Sequence, residues 1–251
     1  MNYRYSNPVS SALSRNSEVS MGASGQLMTL EGTAKKAVML IALCLITGFV
    51  MFFEGQEMVE GALTGIIAFS AITGIVLGLV GTFMPKTARF VAPIYSIAEG
   101  IFLGCITALF DTKYPGVGFS ALSATVITAL AMFIAFSTGL ISATPFFKKF
   151  LMMAGIAIAL TYIVNLVMIL LSGTGIVLLQ TENHSVLSYV IQALFCVVAS
   201  LFLIWDFDNI ANSHGRVGKE YEMAFAMGLL MTLVWMYLEF LKLIVKFQSD
   251  N

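Results

Sequence analysis

The chain has 251 residues, 59% of them hydrophobic and only 11% charged, with mean hydropathy +0.92 and a formal net charge of −1. A soluble domain carries about 25% charged residues, so lipid must cover surface that water covers elsewhere, and the fold class is an all-α polytopic membrane protein. The near-neutral charge and the lack of any long basic run exclude nucleic acid as a partner and leave membrane lipid as the main surroundings.

In chain order, residues 1–32 are polar, rich in Ser, Asn and Gly, and present no apolar helical face. They read as a flexible N-terminal arm, with residues 33–251 as the transmembrane domain. A helix can begin near Met28 and run through Thr33-Ala34-Lys35-Lys36 into the membrane. The polar leader is too long for the first apolar run to be a secretory signal. Seven apolar stretches follow, at 37–53, 62–83, 90–110, 120–141, 150–171, 188–205 and 225–245. A span needs about 20 mostly apolar residues, so the pattern predicts seven transmembrane helices. On alternate connections the basic residues fall unevenly. Arg4, Arg15, Lys35, Lys36, Lys86, Arg89, Lys148, Lys149, Arg216 and Lys219 share one side, against Lys113, Lys242 and Lys246 on the other. The positive-inside rule therefore predicts a cytoplasmic N-terminus.

Small residues recur four apart at Gly74 and Gly78, and again at Gly100 and Gly104, a spacing that lets helices approach closely. Cys44, Cys105 and Cys196 lie in apolar runs without ligand-type neighbours, which marks them as packing residues. The two halves of the chain show no repeat, so a transporter built from inverted repeats is not supported.

Enzyme motifs are missing: there is no H-E-x-x-H, no G-x-S-x-G and no phosphate-cradling glycine loop. His184 and His214 sit in polar loops. Asp206-x-Asp208 begins like a calcium-binding loop, but Ile210 stands where the next ligand belongs. The sequence therefore predicts no catalytic residues and no resident cofactor.

What remains are acids in or beside lipid-spanning sequence, each a functional-site candidate because a charge there is costly. Asp206 and Asp208 end the sixth apolar run. They lie about 200° apart on a helix, so only one can face the bundle, and Asp206 is favoured. The plainer alternative is that both simply end the helix at the interface. Glu239 lies deep in the seventh span, with Lys242 and Lys246 three and seven residues later. It either lines a polar path or pairs along its own helix with lysines that snorkel outward. Glu99, six residues after Pro93, has no base within reach on its own helix, and Asn165 and Gln192 are candidate neutral partners. Two close carboxylates can share a proton, and their oxygens also suit a hard cation such as Ca2+.

Three motifs occur in order: Pro93-Ile94-Tyr95-Ser96-Ile97-Ala98-Glu99-Gly100-Ile101-Phe102-Leu103-Gly104, Trp205-Asp206-Phe207-Asp208-Asn209-Ile210 and Leu233-Val234-Trp235-Met236-Tyr237-Leu238-Glu239-Phe240. With the leader segments Ser6-Asn7-Pro8-Val9 and Met28-Thr29-Leu30-Glu31-Gly32, they resemble the bacterial branch of the Bax inhibitor-1 family over nearly the whole chain. The resemblance implies seven helices with the seventh central, a place in the bacterial plasma (inner) membrane, and a pH-sensitive calcium leak. It implies a gate made by two aspartates, one on the sixth helix and one on the seventh. Asp206 matches the first by motif position and Glu239 the second, which makes these two the candidate Ca2+ ligands, with Asp208 and Glu99 as further gate or ion-binding residues. A plain hairpin drawn on these spans would instead set Asp206 opposite the region of Glu222. Some bacterial relatives are associated with modulating a membrane-bound AAA protease. The alternative function is therefore a regulator of such a membrane partner, acting through the arm and without transport.

Overall fold

The structure, a computed structural model, describes residues 26–250. Its framework is seven long helices: α1 (Leu30–Glu57), α2 (Glu60–Phe83), α3 (Ala88–Asp111), α4 (Val117–Ser137), α5 (Pro145–Ser172), α6 (Val186–Ser213) and α7 (Glu222–Ser249). Among the described residues there is no strand, only a single antiparallel bridge between Leu27 and Gly218. All seven helices are long and apolar enough to cross a membrane. All seven predicted spans are present, yet six of the helices outrun their apolar stretches, while α4 stops at Ser137, short of the expected 141, where Thr138 and Gly139 turn the chain. α1 starts at Leu30 rather than 37, and α6 continues to Ser213, two turns past Trp205. An apolar run records only the hydrocarbon thickness, whereas the backbone hydrogen-bond ladder can continue into the headgroup layer.

α7 is the central helix, packing on α1, α2, α3, α4 and α6. Ala226, Met227, Leu230 and Val234 meet Ala37, Leu40 and Cys44 of α1 and Ala88, Ala92 and Tyr95 of α3. Farther along, Tyr237, Leu241 and Val245 meet Val117 and Ala121 of α4, while Met236 lies on Ala199 and Leu203 of α6. Lipid is as apolar as these side chains, so close packing and polar contacts hold the helices together rather than escape from water. The glycines spaced for close approach do this work. A Cβ on Gly100 would lie 2.5 Å from the Cys44 carbonyl oxygen, and one on Gly48 would lie 3.3 Å from the Gly100 carbonyl oxygen, so α1 and α3 touch backbone to backbone. The three cysteines are buried and free.

The expected arm needs a revised boundary. Residues 1–25 lie outside the described residues, but 26–29 are tied down before α1 begins. The Met28 amide donates to Val217 O at 2.9 Å, the Gly215 amide to Met28 O at 3.0 Å, and the Lys219 amide to Gln26 O at 2.9 Å. Thr29 then caps α1, its hydroxyl oxygen accepting from the Gly32 amide at 2.9 Å.

Close packing at Gly100 sets a test. Gly100→Ala is expected to cost about 1–3 kcal/mol through overpacking against a carbonyl that cannot turn aside. Gly61→Ala, where a Cβ would meet nothing within 4 Å, is expected to leave the thermal unfolding midpoint in detergent unchanged.

Candidate functional site

Asp206 sits inside α6, two turns before its end. Its Oδ2 accepts a hydrogen bond from the Thr232 hydroxyl of α7 at 2.5 Å. Because α6 extends to Ser213 and α7 starts at Glu222, the antiparallel pair sets Asp206 opposite Thr232 rather than Glu222. No cationic side chain among the described residues forms an ion pair with it.

Glu239 is fully buried and hydrogen-bonded on all sides. It accepts from Tyr162 Oη of α5 at 2.7 Å, Gln192 Nε2 of α6 at 2.8 Å, and Trp235 Nε1 of its own helix at 2.8 Å. Lys242 Nζ completes the set at 3.2 Å and also donates to Tyr162 Oη at 2.6 Å. Glu239 thus faces the bundle and is also paired along its own helix. Charge-assisted hydrogen bonds of this kind are the strong ones, and these draw three helices to one carboxylate. Lys246 does not snorkel outward. It is fully buried, with Nζ donating to Leu178 O at 3.2 Å and to Ser188 Oγ.

The implied pair of Asp206 with Glu239 is not formed. Thr232 and Glu239 are seven residues apart on α7, which is about 10 Å along the axis, and each carboxylate takes its bonds from other groups. The α7 residue that faces Asp206 is a threonine, whose hydroxyl cannot share a proton as a second carboxyl would. In this conformation Asp206 and Glu239 cannot hold one ion jointly. Among the described residues no group of three or more His, Cys, Asp or Glu is arranged to hold a metal.

Asp208 points away from Asp206, as helical phase requires, and forms an ion pair with Lys148 of α5. Glu99 lies against Gly74 of α2, where a Cβ would collide with its carboxylate, and its polar neighbour is the Tyr95 hydroxyl, one turn earlier on α3. Neither neutral partner expected for it is there. Asn165 Oδ1 accepts from the Ile176 amide at 2.7 Å, and Gln192 serves Glu239. Glu99 has no ion pair among the described residues.

A fifth acid was missed. Glu222, at the start of α7, is fully buried, and its Oε2 binds Lys36 Nζ of α1 at 2.6 Å. Its Oε1 accepts from the Thr29 amide at 2.9 Å and the Thr29 hydroxyl at 3.1 Å. Thr29 ahead of Leu30-Glu31 was readable as a helix cap, but nothing in the sequence linked it to a residue 193 positions away.

A family model described as Bax inhibitor 1 like matches residues 7–249, which takes in all seven helices. The chain belongs to the Bax inhibitor 1 like family. No curated protein matches it. In this Bax inhibitor 1 like bundle the acids fall into two kinds. Glu239, Asp208 and Glu222 each have a lysine, whereas Asp206 and Glu99 have only hydroxyl partners.

The Glu239 cluster predicts its own fragility. Glu239→Leu leaves Lys242, Gln192, Trp235 and Tyr162 without their shared acceptor, and is expected to cost about 3–5 kcal/mol, as breaking a buried charge pair does. Glu239→Gln is expected to cost less, because an acceptor oxygen remains. Unfolding by detergent titration would compare the two, and equal losses would contradict the account.

Proposed function

We propose that this Bax inhibitor 1 like protein is a passive, proton-sensitive pathway for cations, with Ca2+ as cargo, in the bacterial plasma membrane with its N-terminus cytoplasmic. The observation that carries the reading is the single neutral partner of Asp206. A carboxylate among membrane helices with no cation of its own must have its charge answered from outside the fold, by a proton or by a metal ion. Ca2+ suits the place, since it binds carboxylate, hydroxyl, carbonyl and water oxygens at flexible distances. Glu99, the other acid with only a hydroxyl neighbour, supplies a second such position on α3.

Glu239 takes the opposite part. Its carboxylate is already satisfied, and Lys242 beside it repels a cation approaching along α7. The conformation is therefore a closed one, with Asp206 as the responsive group and the Glu239–Lys242–Tyr162 cluster as the barrier. Opening requires that cluster to part.

Calcium flux into liposomes holding the purified protein, measured from about pH 5 to pH 8, tests the proposal. The wild type is expected to leak at a rate that changes with pH. Asp206→Asn is expected to abolish that pH dependence, and Asp208→Asn, two residues away, to retain it. No flux at any pH from protein with intact helices would overturn the reading.

A further inference from the structure

Glu222 is 0% exposed, and every hydrogen bond and ion pair found for it among the described residues comes from Thr29 and Lys36. Gly32 is part of the same fit, since a Cβ there would lie 2.5 Å from both carboxylate oxygens. The chain just ahead is fastened to the loop that leads into the same helix. Residues 26–28 exchange backbone hydrogen bonds with Gly215, Val217 and Lys219, and the Lys219 ammonium donates to Gln26 Oε1 at 2.9 Å. Met28, within this strap, is fully buried. The beginning of the central helix and the loop before it are thus both held by one short segment, and the grip depends on a buried charge that, among the described residues, only this segment neutralises.

We propose that residues 26–36 form a clasp that sets the position of α7, and so keeps Thr232 at Asp206 and the Glu239 cluster sealed. The inference rests on the proposed pathway for its consequence, but the clasp itself can be read without any transport. Lifting the segment takes away at once the ammonium, the amide and the hydroxyl that meet the Glu222 carboxylate, which makes docking all-or-none rather than graded. α7 touches all six other helices, so a shift at its start reaches both acid positions. Glu222, Lys36 and Thr29 are positioning residues here and do not themselves meet the cation.

The experiment combines amide hydrogen exchange with calcium flux on the reconstituted full chain. Lys36→Met is expected to speed exchange at the strap amides of Met28 and Lys219 and in the first turns of α7 by about tenfold or more, and to raise the leak. Adding Glu222→Gln to Lys36→Met removes the stranded charge and is expected to reverse most of both effects. Lys35→Met is the control, because among the described residues Lys35 pairs only with exposed Glu31, and it is expected to change neither. Thr29→Val is a milder variant should Lys36→Met fail to insert, with the same direction of change. Faster exchange in the strap with α7 as protected as in the wild type would overturn the proposal, and so would an unchanged strap. If strap and α7 both loosen while wild type and variants alike pass no calcium, the clasp stands and the cation pathway falls.

Discussion

A carboxylate among lipid-spanning helices has no water to solvate it, so its charge must be met by another group. Apart from the exposed Glu31–Lys35 pair, three acids among the described residues are met by lysines, and in each case the lysine or its co-donors come from a different helix. Glu239 gathers Tyr162 from α5, Gln192 from α6 and Lys242 from its own turn. Asp208 holds Lys148 of α5, and Glu222 holds Lys36 of α1. These ties matter more than their number suggests, because apolar faces gain little from leaving lipid for one another. α5 shows this plainly. Its only buried residues are Leu151 and Ile158, yet it is pinned through Lys148 near one end and Tyr162 farther along.

Against that background Asp206 and Glu99 stand out by what they lack. Each lies in a spanning helix and each has a hydroxyl group as its polar neighbour, from Thr232 and from Tyr95. A hydroxyl satisfies one lone pair and leaves the charge. The division of labour follows: the paired acids build the bundle, and the unpaired ones are free to respond to protons or cations. Thr232 opposite Asp206 also changes the mechanism that a pair of acids would allow, since a hydroxyl partner offers no second carboxyl to share a proton with it.

The number and order of the spans were legible because seven apolar runs of membrane length admit no other arrangement. Their ends were not, and one misplaced end had consequences. Closing α6 at Trp205 put Asp206 at the interface and opposite Glu222, while the true end at Ser213 carries it two turns inward to Thr232. The Glu239–Lys242 pair was visible from its spacing. Tyr162 and Gln192 were not, because contacts between distant helices leave no local pattern, and Gln192 had been considered for Glu99 instead. Lys246 looked like a snorkelling side chain, yet the chain leading into α6 offers it Leu178 O and Ser188 Oγ indoors. The clasp at Glu222 was hidden for the same reason, since Lys36 reads in sequence as one more positive charge at a membrane boundary.

The central claim is that Asp206 is the acid left to exchange protons or cations while Glu239 is locked. Infrared spectroscopy of the protein in lipid, recorded across a pH titration, reports carboxylic C=O bands as groups gain and lose protons. The account predicts a titrating band that vanishes in Asp206→Asn and survives in Glu239→Gln. A band that persists in Asp206→Asn and disappears in Glu239→Gln would contradict it.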